Sequence, residues 1–253
     1  MSLVRKLSII TVVDRNLNGI INIYNQIGKY LSADVEWIIK DSSRCDATKK
    51  WGNSVSSENL RFISSNDSGI YEALNQAISH STGEFYVTLG ADDSLFSNCL
   101  SGFLEDYNNL SFFDILVFPV IVNKQKHFAS KYCPTFVSVA SLVTSHSVGT
   151  FIKKSIHQKI GFYDQSYKIL ADSLFLTKAF RSDFRFFYIK GEPIGEFGTG
   201  GISSTNFQVR FYEAYRYQTQ LGSPRLLQMI LFVLRVLKYS PYFMFRYVNS
   251  FRL

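Results

Sequence analysis

Cysteine is scarce: a chain of 253 residues carries three, at Cys45, Cys99 and Cys133. An odd, widely spaced set without metal-ligand spacing excludes a disulfide framework and fits free thiols in a reducing compartment. No apolar run reaches the roughly 20 residues that span a bilayer; Arg235 and Lys238 interrupt the longest candidate, near the C-terminus. The opening MSLVRKLSIITVVD has a short, partly alternating apolar run and no small-residue cleavage site, so it reads as a buried strand rather than a signal peptide. Internal repeats and low-complexity segments are absent. Acidic residues stop at Glu213. Beyond it stand Arg216, Arg225, Arg235, Lys238, Arg246 and Arg252, which account for all but one of the net charge of +7. The body is therefore nearly neutral and the tail basic.

What is present is globular: 46% hydrophobic, 19% charged and 16% aromatic residues. The length suits one large α/β domain with an appendage. Strands are expected at Leu7–Val13, Val35–Lys40, Leu60–Ile63, Phe85–Leu89 and Asp114–Val122, with Pro119 suiting an edge or a bulge in the last. Between them the spacing predicts helices at Asn16–Leu31 (apolar at Ile20, Ile23, Tyr24, Ile27 and Leu31), Asp46–Val55 and Ile70–Ser79. The third is capped by Asp67 or Ser68, buries Ile70, Ala73, Leu74, Ala77 and Ile78, and stops at Gly83. Asn123–Thr144 reads as irregular or β-rich. Helical pattern returns at Ile169–Arg181 and Asn206–Leu221. Alternation of strand and helix implies a mostly parallel sheet with helices on both faces.

The stretch Asn66–Asp93 carries the most chemistry, because its strand ends in adjacent Asp92 and Asp93. The carboxyl ends of strands in an α/β sheet are where ligands bind. Two neighbouring carboxylates repel unless a cation joins them, and a divalent cation there would carry phosphate oxygens. Asp41, at the end of the second strand, suits a hydrogen bond to a base or ribose, or equally a turn. Asp67 reads as a helix cap. His80, His127 and His157 have no constellation around them and read as surface residues.

Taken in order, Thr11–Val13, IIKDSS (Ile38–Ser43), DSGIYEALNQAI (Asp67–Ile78), GEFYVTLGADD (Gly83–Asp93), SHSVGTFIKKSIHQKIGFYDQSYKILAD (Ser145–Asp172) and GTGGISS (Gly198–Ser204) resemble family 2 glycosyltransferases of the GT-A fold. Bacterial enzymes that build O-antigen, capsule or exopolysaccharide are the nearest resemblance, over about residues 5–220. It implies a Rossmann-like, mixed, mostly parallel sheet. The glycosyltransferase domain would span residues 1–222, with a nucleotide-binding half to about 122 and an acceptor-binding half from about 123.

The resemblance also assigns roles. Thr11, Val13, Asp41, Asp67, Asn75 and Asp92 would bind the nucleotide sugar, with Asp41 on the base, most often uracil in this family. Asp93, with His146, would hold Mn²⁺ or Mg²⁺ against the donor diphosphate. Asp172 would be the catalytic base of a single inverting displacement. A lone histidine such as His146 is more often structural, and the GTGGISS loop is either a pocket wall or a plain turn. Gly90 stands where relatives often carry an acidic residue, and Ser173 where an acidic or aromatic residue usually follows the base.

The tail, residues 223–253, interleaves aromatics with cations and reads as an amphipathic, membrane-interface segment, or as a helix packed on the domain or a second subunit. Together these features imply a cytoplasmic enzyme, peripheral on the inner membrane. It would move a sugar from a UDP-sugar to a polyprenyl-diphosphate-linked saccharide. A nucleotidyltransferase would need a Gly-rich, basic phosphate loop after the first strand, which ITVVDRNLNG lacks. An inactive scaffold of the same fold would not require Asp93 and Asp172. The tail's long aliphatic run argues against nucleic acid.

Overall fold

The computed structural model describes residues 5–42, 45–128, 146–198 and 206–250, with side chains described to Tyr239. Most of the Asn123–Thr144 and Gly198–Ser204 segments lie outside the described residues.

The first part of the chain alternates regularly. It runs β1 (Arg5–Val13), α1 (Leu17–Ile27), β2 (Val35–Asp41), α2 (Asp46–Val55), β3 (Leu60–Ser64), α3 (Ile70–His80) and β4 (Gly83–Thr88). These four strands are parallel, and β1, the most continuous apolar run, sits between β2 and β4. β2 is buried along its whole length, as a strand covered on both faces must be. Successive residues therefore serve opposite faces. Ile10, Ile38 and Tyr86 pack toward α3, while Ile9, Trp37 and Phe85 pack toward α1. Asn16 caps α1 by accepting the Gly19 N–H at 3.0 Å.

The second part is less regular. It holds β5 (Ser94–Leu95), α4 (Ser97–Glu105), α5 (Tyr107–Leu110), β6 (Ile115–Val117), β7 (Val120–Val122), β8 (Gln125–His127), β9 (Thr150–Lys153), α6 (Ile156–Ile160), α7 (Ala171–Arg181), β10 (Phe186–Tyr188) and β11 (Gly195–Phe197). A penultimate helix, Phe207–Gln220, and a C-terminal helix, Arg225–Ser250, follow. The main sheet has the order β10-β6-β9-β4-β1-β2-β3, and β9 runs antiparallel to both neighbours. A second sheet has the order β5-β11-β7-β8.

Four local expectations change. The single strand expected at Asp114–Val122 is two, because β6 joins the main sheet and β7 the second. Pro119 lies at the break, where it has no N–H to give to either ladder; its carbonyl accepts from Ile194 N–H. Gly83 does not end α3 but opens β4, next to Ser8, leaving no room for a side chain. Ile70 is exposed and Tyr71 is buried in its place. That helix has Gly69 at its N-cap with no side-chain cap; Glu72 folds back to accept from Ser68 instead.

At the opposite end of the sheet from the strand carboxyl termini, Glu36 is buried among three strands. Its Oε1 accepts from Ser8 Oγ at 2.6 Å, Thr82 N–H at 2.5 Å and Thr82 Oγ1 at 2.9 Å. Removing the carboxylate strands these donors out of water, which costs far more than the net value of the bonds. Glu36→Ala is expected to lower stability by about 3 kcal/mol in chemical denaturation. Glu36→Gln, which keeps an acceptor, is expected to lose clearly less. Equal losses would remove the acceptor role.

Candidate active site

The carboxyl ends of β1 to β4 form one edge, and the acidic positions gather there. Asp41 is the last residue of β2, paired with Val13 on one side and Ser64 on the other. It is fully buried, and Ser64 Oγ approaches its carboxylate at 3.4 Å. Val13 is buried in the core, and its carbonyl accepts from Ser42 N–H. Thr11 stands two residues inside this edge and its Oγ1 takes the Trp37 indole N–H at 3.0 Å. The threonine expected in the nucleotide pocket thus holds β1 to β2.

Lys40 is fully buried yet ends an apolar strand. Its ammonium donates to Asp67 Oδ2 at 2.8 Å and to the Ser65 carbonyl at 2.6 Å. Burial pushes the Asp67 carboxyl up, but hydrogen bonds from Lys40 and Ser42 outweigh it and hold the group below its ordinary value. The residue expected to cap α3 or bind the donor instead neutralises a buried cation and fixes the β3–α3 turn.

Beyond β4 the chain turns at Gly90–Asp93. Asp93 is buried, and its two oxygens accept Gly90 N–H at 2.7 Å and Gly198 N–H at 2.8 Å. Burial raises its pKa to about 7 in spite of those bonds, with Asp92 adding repulsion. Asp92 is exposed. A Cβ on Gly90 would meet Asp92 Oδ1 at 2.9 Å, and one on Gly198 would meet Asp92 Cγ at 2.7 Å. Glycine at both places leaves room for that carboxylate. With the carboxylates in this arrangement, a side chain at position 90 would require the Asp92 carboxylate to shift.

His146 stacks on Phe197, with ring centroids 4.0 Å apart. Burial, then His127 and Arg210, lower its pKa to about 4, so the ring is neutral at neutral pH and able to act as a ligand. Among the described residues no three His, Cys, Asp or Glu stand together as a metal cluster. Asp92 and Asp93 alone do not fill a cation's shell, but they fit a cation that brings diphosphate oxygens with it. Asp92 is the more open of the two, reversing the expected emphasis on Asp93.

Asp172 occupies the first turn of α7. Its Oδ1 accepts Ser173 N–H at 2.7 Å and the Tyr71 hydroxyl at 3.2 Å. Protein atoms packed around the carboxylate raise its pKa, against the pull of both bonds. The side chain is nonetheless open to solvent. Crowding combined with solvent access leaves the carboxylate reachable by a ligand. Two further residues set this position. The single Tyr71 hydroxyl proton is shared between that carboxylate and the Ile169 carbonyl, 2.5 Å from the hydroxyl oxygen. Glu213, buried in the penultimate helix, accepts Lys168 N–H at 2.5 Å and Ile169 and Leu170 N–H at 2.9 Å each. These are the amides of the three residues that lead into α7, Leu170 being its N-cap.

Asn75, expected at the nucleotide sugar, instead bonds the Tyr163 backbone in both directions, through Nδ2 at 2.8 Å and Oδ1 at 3.1 Å. His157 is buried rather than on the surface, and Tyr86 bridges it to Tyr163. The bond between His157 Nδ1 and the Gly161 carbonyl makes Nε2 the acceptor from Tyr86. The sequence reading gave no role to Lys40, Tyr71 or Glu213. Only Lys40, a cation inside an apolar strand, carried a local signal.

Comparison with known proteins bears on the fold and the family. The family model described as "Glycosyl transferase family 2" matches residues 11–184. PGL/p-HBAD biosynthesis glycosyltransferases of Mycobacterium bovis and Mycobacterium tuberculosis are 24% identical over 211 residues, covering 78% of this chain and 79% of theirs. Staphylococcus aureus TarS 1-349 superposes with a TM-score of 0.65 at 17% identity, covering 93% of this chain and 72% of that one. TarS 1-349 is also known in complex with UDP-GlcNAc. The mannosyltransferase PcManGT from Pyrobaculum calidifontis, in complex with GDP-Man and Mn²⁺, has a TM-score of 0.61 at 15% identity over 93% of this chain and 75% of that one.

Because Asp67 is held below its ordinary pKa, it stabilises the fold above about pH 4, and that contribution is lost as pH falls through the depressed folded-state value. Asp67→Asn is expected to cost about 2 kcal/mol at neutral pH. The gap from the parent should close in acid, read by urea denaturation across pH. A gap independent of pH would show that packing, not the charge on Asp67, is what the variant loses.

Proposed function

Because the chain belongs to glycosyl transferase family 2, and is a glycosyltransferase with a GT-A-like fold, we propose that it transfers one sugar, with inversion, from a UDP-sugar to a lipid-linked saccharide at a membrane surface. The product would belong to a bacterial surface polysaccharide such as O-antigen or capsule. The observation that carries the mechanism is the Asp172 carboxylate, crowded yet open and pinned by Tyr71 and Ser173.

A raised pKa makes this carboxylate a better base than a free aspartate. Asp172 takes the proton of the acceptor hydroxyl as that oxygen bonds to the anomeric carbon. The bond from that carbon to the diphosphate oxygen breaks, and its electron pair leaves with the nucleoside diphosphate. One displacement and one base invert the centre. Mn²⁺ or Mg²⁺, where bound, would be held by Asp92 with Asp93 and would offset the charge gathering on the leaving diphosphate. Asp41, at the carboxyl end of β2, would serve the nucleobase.

The acceptor reading rests on the C-terminal helix. Leu226, Met229, Ile230, Val233, Leu234 and Leu237 are exposed, and their spacing puts them on one face. Among the described residues no helix is long and apolar enough to cross a membrane. An exposed apolar stripe on a helix with cations and no acidic residue suits the interface of an anionic leaflet. The enzyme would then lie on the cytoplasmic face.

Thermal unfolding with UDP, GDP, TDP or CMP, each with and without Mn²⁺, is expected to show a Mn²⁺-dependent rise with UDP. A rise with another nucleotide would replace the donor. Asp172→Asn is expected to keep that rise and to lower turnover by about 10²–10⁴-fold; retained turnover would remove Asp172 as the base. Combining Ile230→Glu with Leu234→Glu is expected to abolish binding to anionic vesicles. Retained vesicle binding would clear the stripe of that role, and loss of a dimer in sedimentation would assign it to a second copy of the chain.

A further inference from the structure

The C-terminal helix has an inward face unlike its outward stripe. Toward the penultimate helix it encloses a cavity of about 240 Å³, lined by Phe207, Arg210, Phe211, Arg235, Lys238 and Tyr239. Tyr239 stacks on Phe207 at 5.8 Å and packs on Phe211 at 5.2 Å, which makes the aromatic wall. Three cations converge on the space, and no carboxylate is among its described lining residues. A concave site with this charge selects an anion. Its size is below the roughly 300 Å³ from which drug-sized pockets begin, which suits a phosphate or diphosphate group better than a whole nucleotide.

Its position ties it to the active site. The penultimate helix that supplies Phe207, Arg210 and Phe211 to its wall also carries Glu213, which holds the amides of Lys168, Ile169 and Leu170 just ahead of Asp172. The cavity wall and the support of Asp172 therefore share one helix. It also lies across the helix from the exposed stripe. If the stripe rests in the acyl region, the far side of the helix stands roughly 10 Å higher, one helix diameter, at the level of lipid headgroups.

We propose that this cavity receives the phosphate or diphosphate that links the acceptor sugar to its lipid. The assignment rests on the lipid-linked acceptor inferred above and adds the residues that hold its anionic link. Arg210 and Arg235 present guanidinium forks suited to phosphate oxygens, and Lys238 adds a point charge at the solvent side. The cavity thus sets how far the acceptor sugar reaches from the membrane toward Asp172.

The test uses the full chain and two sets of phosphatidylcholine vesicles. One set carries a long-chain isoprenyl diphosphate, and the other the same total charge as phosphatidylglycerol. The wild type is expected to prefer the first by about tenfold. Arg210→Gln and Lys238→Gln, each folded by thermal unfolding, should lose most of that preference and keep binding to phosphatidylglycerol. Equal affinity of the wild type for both vesicles, or a preference that survives both substitutions, overturns the cavity assignment while leaving membrane docking in place. Binding to neither vesicle overturns the membrane reading itself. A water-soluble alkyl diphosphate that binds as tightly as the vesicles would make this a site for free anions and overturn its lipid assignment.

Discussion

The site depends first on the buried carboxylate of Asp93. Its two oxygens accept backbone N–H groups from Gly90 and from Gly198, which lies 105 positions further along the chain than Asp93. One bond shapes the turn after β4 in the main sheet; the other fastens that turn to the end of β11 in the second. Two N–H donors normally hold a carboxylate well ionised, yet burial wins and leaves the group near 7. Asp93 is thus balanced between keeping a proton and keeping a charge. A cation beside it would settle the balance toward charge, so ligand binding and the junction of the two sheets draw on the same group.

The other buried ions work in the same manner at other junctions. Lys40 ties the ends of β2 and β3 to the residues before α3. Glu213 ties the penultimate helix to the start of α7. Tyr71, at the start of α3, then reaches the first turn of α7 at Asp172. A buried ion pair adds little net stability, but breaking one is costly because a lone charge stays behind. Such contacts therefore define position more than they add stability. Here they define where one carboxylate stands relative to the strand edge, which is what a general base requires.

How much of this the sequence reveals follows from the range of the interactions. β1, β2 and β4 are apolar runs long enough to be seen, and α2 has the bounds its polar pattern suggests. β9, β10 and β11 are three or four residues each, too short for any period, and they are strands only because distant partners accept them. Pro119 announces a disturbance, but the change of sheet depends on β9 and β11. Within the site, Asp92–Asp93 and Asp172 stand out through adjacency and through family resemblance. Tyr71 and Asp172 are 101 positions apart, and Glu213 lies more than 40 from the amides it holds. No local pattern encodes such pairs. Thr11 and Asn75 mislead for the converse reason: polar residues near a ligand edge are also what a fold uses to satisfy its own donors.

The uneven charge of the chain follows from this arrangement. Carboxylates gather in the body, where each buried one meets fixed donors or a cation. Past Glu213 the sequence has no acidic side chain, and the last helix presents cations on one side and an aliphatic stripe on the other. A helix that needed only to cover the domain would bury its apolar face against it and turn polar residues outward. This one turns Leu226, Ile230, Leu234 and Leu237 outward and sets Arg235 and Tyr239 toward the penultimate helix. The inverted pattern makes sense when the outer surface faces hydrocarbon and the inner one an anion carried up from it. Chemistry at Asp172 and attachment at the surface would then be linked through this pair of helices, because Glu213 stands on the same helix as Arg210 and Phe211 of the basic cavity.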